Sequence, residues 1–246
     1  MGAEIAARAR SARECAAARK PVDQANLVRT PPTGIGDHLA ALRQHGQQIF
    51  DEGFRVCTVS LSQLFAIQPT IFTDYHDTAV ESVEPTDTCG LAEITLPLAR
   101  EAQLSVVGDV TQRSVTLTSP DLNLQLVGPV PPQMGPAGCI LGFNSIVANS
   151  LLQVAHHEGR YFCRDGHTRA LQLLKRGITT VPAIVKEFKS YAEVAPRPNL
   201  LPEAVTMGSN PPTLQDFLDE RVSADVQLPM TRKAIIVSAI EIELPV

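Results

Sequence analysis

No run of about 18 apolar residues occurs in this chain of 246 residues, so the sequence offers no candidate for a membrane-spanning helix. The Ala- and Arg-rich start, Met1 to Lys20, lacks the uninterrupted apolar centre of a secretory signal, and a cytoplasmic location is the expectation. Cysteines are few: Cys15, Cys57, Cys89, Cys139 and Cys163 make an odd number with no CxxC spacing. That argues against a disulfide framework and against a structural zinc site. P-loop, dinucleotide fingerprint, HExxH and GxSxG patterns are all missing, which removes several common routes to nucleotide, metalloprotease and serine-hydrolase chemistry. Excess basic charge is missing too. The net charge is −5 and the pI about 5.7, so the chain lacks the electrostatic footprint of a protein that grips nucleic acid. No internal repeat is found.

What is present is a globular composition, 44% hydrophobic and 19% charged, enough to bury a core in one large domain or one domain with appendages. Residues 1–33 read as a basic helical arm, with Arg8, Arg10, Arg13, Arg19 and Lys20 set among alanines. Such an arm suits solvation or a protein partner better than nucleic acid in an acidic chain. Residues 34–246 read as the main domain.

Along that domain, Asp37 to Phe50 has the spacing of an amphipathic helix, ended by Gly53, and Phe54 to Leu61 is β-branched like a strand. Ser60 or Ser62 is placed to cap a short turn, and Pro69 opposes a continuous helix from Ala66 to Asp77. From about residue 84 to 138 the composition turns to Thr, Ser, Val, Leu and Pro, predicting a β-rich insertion of short antiparallel strands. Its Pro/Gly cluster, Gly128 to Gly138, predicts an irregular loop or flap. Near the end, Thr213 to Val222 predicts a Thr-capped helix and Lys233 to Leu244 a strand. The class is α+β.

The most informative segment begins at Ser150. Ser150–His156 and Arg160–Arg164 read as strands joined by a short Gly-containing turn, hence a hairpin. Asp165 and Gly166 break the second strand. A helix then starts at His167, with apolar Ala170, Leu173 and Leu174 and a stop at Gly177, and Val181–Phe188 is a further strand. A strand that turns directly into a helix points unpaired N–H groups and a partial positive charge at whatever lies beyond. In this reading Gly166 admits an anion close to the backbone, Arg169 supplies a fork for phosphate oxygens, and His167 and Thr168 supply donors. Asp165 beside an anion is costly unless it orients a partner, holds a metal or takes a proton. The alternative is a plain Asp-Gly turn, with Asp165 as a cap and Arg169 on the surface.

The stretch YFCRDGHTRALQLLKRGITTVPAIV resembles the DGHHR-type signature of the ParB/sulfiredoxin-like superfamily, matching it at Asp165, Gly166, His167, Arg169, Ala170, Gly177, Val181 and Pro182. Val56 to Phe72 resembles the family's earlier strand and its Gln68-Pro69 element more weakly. The resemblance implies a mixed sheet with packed helices that binds a nucleoside triphosphate or diphosphate at this loop, with Gln68 among the binding residues. Sulfiredoxins carry a reactive Cys where His167 stands, and partition proteins a Gly-Glu-Arg-Arg loop, so neither activity carries over.

The loop is nearest to the free-serine kinase branch, from which Thr168 departs. That branch implies phosphate transfer to a small hydroxyl-bearing substrate, aided by Mg²⁺, with Asp165 and His167 as catalytic residues and a base supplied by Asp74, Asp77 or Glu81. A non-catalytic nucleotide-sensing module is the rival reading, and a ParB-like nuclease the third.

Overall fold

The computed structural model describes residues 2–73, 78–98, 103–119, 123–136, 138–147, 150–227, 233–240 and 242. The chain divides into two units, Met1–Leu98 with Ser150–Val226, and Ala99–Asn149 with Gln227–Val246. Its elements begin with α1 (Gly2–Ala17), β1 (Val28–Arg29), α2 (Gly36–His45), α3 (Gln47–Asp51), β2 (Arg55–Ser60), β3 (Phe65–Ala66), α4 (Thr78–Ser82) and α5 (Thr88–Thr95). Next come β4 (Ser105–Asp109), β5 (Ser114–Ser119), β6 (Leu124–Gly135) and β7 (Gly138–Val147). The rest are β8 (Gln153–His157), β9 (Arg160–Asp165), α6 (His167–Lys175), β10 (Thr180–Glu187), α7 (Tyr191–Val194), α8 (Glu203–Thr206) and β11 (Lys233–Ser238). The class is thus mixed α+β, and no helix among the described residues is long and apolar enough to cross a membrane.

The first unit is built on a six-stranded sheet in the order β1-β2-β10-β8-β9-β3. β2 runs antiparallel to β10, β10 parallel to β8, β8 antiparallel to β9 and β9 parallel to β3. Alternate residues of a strand face opposite sides, and β10 shows the result. Val181, Ala183 and Val185 join a core with Ala170, Leu173 and Leu174 of α6, while Ile184 joins another with Leu42 and Phe54. Pro182 lies in this central strand. Its pairing with β8 begins only at Ile184, so the missing proline N–H falls where β2 alone flanks it.

Local chemistry explains the hairpin and the helix. The β8–β9 turn is two residues, Glu158 and Gly159, at φ 48° and 73°. Both sit in the left-handed region that tight hairpin turns demand. The apolar spacing of α6 buries its Ala170–Leu174 side on the sheet. At its C-terminal end Arg176 Nη1 donates to the carbonyls of Val80 and Val83, the latter at 2.7 Å. This ties the end of α6 to α4.

The structure differs from the sequence reading at four places. The basic helix ends at Ala17, well short of residue 33. The chain after it belongs to the first unit: Leu27 is buried, β1 joins the sheet, and Arg19 pairs with Asp216 and donates to the Pro211 carbonyl at 2.6 Å. The predicted helix from Asp37 is broken at Gly46 into α2 and α3. Thr213 does open a capping box with Asp216, but the turn is a 3-10 helix over Leu214–Leu218 and not a helix to Val222. Most of all, residues 128–135 and 138 of the Pro/Gly cluster are strand and not loop. They lie in the long hairpin of β6 and β7, whose register shifts at Leu126/Gly128 and Val130/Gln133 accommodate them.

In the second unit β4, β5 and β11 form an antiparallel sheet and β6 and β7 a two-stranded one. The β-rich insertion expected at about 84–138 therefore compares with a unit of 99–149 plus 227–246. Residues 88–95 form α5, started by Asp87, whose carboxylate accepts from the Gly90 N–H at 2.9 Å.

Candidate functional site

β9 delivers Asp165 to one end of the sheet, and the backbone then reverses through Gly166 (φ 83°) into α6. Asp165 Oδ1 accepts from the Gly166 N–H at 2.8 Å. The helix itself gives no partner to the N–H groups of its first turn. The same end of the sheet receives β3. In the parallel pairing of β3 with β9, Ala66 lies opposite Cys163, so Gln68 follows β3 at the end of the sheet where β9 reaches Asp165.

Asp165, Gly166 and Thr168 are half-buried, while His167 and Arg169 lie beneath them, buried. His167 is 2% exposed, and neither ring nitrogen has a hydrogen-bond partner. Burial lowers its pKa from the usual 6.5 to about 3, so the imidazole is neutral. Arg169 Nη1 donates to the Ser150 carbonyl at 2.6 Å, so this side chain is buried and engaged rather than lying on the surface. Cys163 has no exposure, and burial, with the charge of Asp165 adding, raises its thiol pKa well above the usual range. It is an inert core residue.

Gly166 has a packing role that the sequence did not show. A Cβ built there meets Leu152 Cδ1 at 3.0 Å and Leu152 Cα at 3.1 Å. To admit a methyl there, Leu152 must give by a few tenths of an ångström. Gly166→Ala is therefore expected to cost at least about 1–2 kcal/mol from the left-handed backbone alone, with the clash adding to it. Urea denaturation measures this, and an unchanged midpoint would refute the left-handed backbone at Gly166.

Other predicted residues are placed elsewhere. Glu81 is on α4 and exposed, next to Val80, whose carbonyl is held by Arg176 at the C-terminal end of α6. The loop is at the other end of that helix, roughly 13 Å away along nine residues. Asp74 and Asp77, with Tyr75 and His76, lie outside the described residues. His156 and His157 serve separate ends: the ring of His156 stacks on Tyr161 at 4.5 Å, and His157 Nδ1 donates to the Phe188 carbonyl at 3.0 Å.

Sequence reasoning missed Arg164. Its Nη1 donates to Gln153 Oε1 at 2.9 Å, its guanidinium lies 5.1 Å above the ring centre of Phe188, and its Nε is buried without a partner. Burial lowers its pKa, with Asp165 opposing that shift. Only its place before Asp165 could have signalled it.

Two cavities, of about 280 Å³ and 210 Å³, lie in the first unit away from residues 165–169. The larger is at the Glu158–Gly159 turn, with Arg19, Lys20 and Arg160 in its wall, at the opposite end of β9. Unpartnered buried polar atoms mark a place for a ligand more directly than open volume does, and those of Arg164 and His167 lie at the loop. Comparisons with family models, with curated proteins and with solved structures find no match to the chain.

Proposed function

We propose that the first unit is a nucleotide-binding domain of ParB/sulfiredoxin-like fold whose loop 165–169 holds a phosphate group at the N-terminus of α6. The observation that carries this reading is His167, buried at the first position of the helix with both ring nitrogens unpartnered. Buried polar groups left without partners cost about 1–3 kcal/mol, and a ligand that bonds to one recovers part of that. The first-turn N–H groups and the helix dipole favour an anion at the same place. Half-buried Thr168 offers its hydroxyl, and Gln68 follows β3 at that end of the sheet.

The catalytic form of this reading passes the terminal phosphate to a small acceptor bearing a hydroxyl, with Asp165 and His167 nearest to it. Mg²⁺ binds through one or two carboxylates together with substrate phosphates. Asp165 supplies one carboxylate, which fits a metal carried in by the nucleotide, where it would neutralise phosphate charge. Among the described residues there is no group of three or more metal-ligating side chains. A non-catalytic nucleotide-sensing module is favoured by one observation: Arg169, the fork expected on phosphate, is committed to the Ser150 carbonyl. The exposed Arg10 and Arg13 of α1 suit a protein partner in that form.

Thermal shift against ATP, ADP, CTP and GTP with Mg²⁺ tests the binding. A ligand at a hundredfold excess over its Kd adds about 2.7 kcal/mol to apparent stability. Thr168→Glu separates folding from binding, because a carboxylate in the first turn suits the helix and repels phosphate. We expect one nucleotide to shift the unaltered chain and none to shift Thr168→Glu. A chain indifferent to all four nucleotides would end the proposal. Where binding is found, nucleotide consumption that is lost in Asp165→Ala selects the catalytic form, and binding without turnover selects the module.

A further inference from the structure

From Leu122 to Ala155 the chain contains no Asp, Glu, Lys, Arg or His. The second unit's share of that stretch is the β6–β7 hairpin, a sheet of two strands only. β6 lies against β11, whereas the outer edge of β7 has no strand beside it among the described residues. Large apolar side chains stand exposed along β7, with Ile140 at 68%, Leu141 at 74%, Phe143 at 50% and Ile146 at 48%. Proteins guard a free strand edge with charge, proline or a cover. β6 carries Pro129, Pro131 and Pro132, and β7 carries neither proline nor charge. A two-stranded hairpin is also marginal alone, while three or more strands with an apolar face hold together.

We propose that β7 is an interface strand that pairs antiparallel with β7 of a second copy of this chain, across a two-fold axis at Phe143, to make a four-stranded sheet. A two-fold contact requires a strand that complements itself, and β7 does so about Phe143. In that register Ile140 lies across from Ile146, Leu141 across from Ser145 and Cys139 across from Val147. No pair sets a charge against an apolar group. Pro129 lies opposite Phe143 within the hairpin and has no N–H to offer it, which suits Phe143 to bonding on its outer side. A lipid surface fits less well, because the N–H and C=O groups of an open edge find no partner in hydrocarbon. A highly charged partner would find nothing of opposite sign to meet.

Sedimentation of the full chain, followed by cross-linking, tests this. The unaltered chain is expected to sediment as a dimer. Phe143→Cys, in a background with Cys15, Cys89 and Cys139 replaced by Ser, is expected to form a disulfide-linked dimer on oxidation. Opposed residues of antiparallel strands have Cα atoms about 4.5–5.5 Å apart, within the range of about 4.4–6.8 Å that a disulfide spans. Ile140→Lys is expected to weaken the dimer about tenfold or more, and adding Ile146→Glu to restore it, since the two positions oppose each other across the axis. Both positions are exposed, so neither change disturbs a core. A monomer at 100-fold dilution and at stock concentration alike overturns the proposal. So does a dimer indifferent to Ile140→Lys, or one that Ile146→Glu fails to rescue. A monomer that floats with phosphatidylcholine vesicles overturns it in favour of a lipid surface.

Discussion

Lowering the pH below 6.5 is expected to destabilise the chain through His167 by a slope that approaches about 1.4 kcal/mol per pH unit. In the unfolded chain this imidazole takes a proton near pH 6.5, whereas in the folded chain burial holds its pKa at about 3. Between those values the unfolded state binds the extra proton, so stability falls as the pH falls. The contribution is fully present above pH 6.5 and its loss is complete only below pH 3. Other groups titrate over this range, and the comparison that isolates His167 is with His167→Leu. Its pH profile of unfolding free energy between pH 6.5 and 4 is expected to be flatter by that slope. At pH 7 the variant should be no less stable, because it removes two ring nitrogens that have no partner. Parallel profiles for the two proteins would show that His167 is not buried as described. If the nucleotide reading holds, the same variant loses affinity while keeping its fold at pH 7, which separates the ligand role from the packing role.

Phe162→Ala is expected to cost about 3–5 kcal/mol, the range for an aromatic deleted from a core. Phe162 has no exposure and lies on β9 between β8 and β3. Its ring centre is 5.9 Å from that of Phe65 and 6.3 Å from that of Tyr191, the latter edge-on. Around it stand Ile67, Ala155 and Val194. Pairing of Phe162 with Ala155 of β8 and Phe65 of β3 limits how far the strands can collapse into the space. Phe72, 61% exposed, is the control, and Phe72→Ala is expected to stay within about 0.5 kcal/mol of the unaltered chain. Equilibrium denaturation measures both. A cost for Phe162→Ala as small as the control's would mean that the β9 side of the sheet is not packed as a core. Because Asp165 stands three residues further along β9, a damaged β9 is also expected to weaken ligand binding at the loop.

Residues 150–188 were the most legible part of the chain, for reasons that are local. The turn at Glu158–Gly159, the break at Asp165–Gly166 and the helical spacing of Ala170, Leu173 and Leu174 all act within a few residues of themselves. Gly128–Gly138 misled for the complementary reason. Proline and glycine lower strand propensity, but a partner strand with shifted register absorbs them, and the partner lies up to 23 residues away in the pairing of Leu124 with Val147. The site was legible in part. Asp165 to Arg169 appeared as a unit, yet the burial of His167 and the capture of Arg169 by Ser150 depend on a segment that lies on the other side of the hairpin.

The class, the hairpin and the helix that follows it, and the net charge of −5, were legible in the sequence, since composition, turn chemistry and periodicity need no distant partner. Tertiary structure alone decided which residues meet. It set β10 between β2 and β8 and β3 beside β9. It placed Glu81 at the far end of α6, and it closed Leu152 over Gly166. Those outcomes rest on pairings between strands and on side chains filling shared cores, whose energies depend on segments tens of residues apart, and no local pattern encodes them.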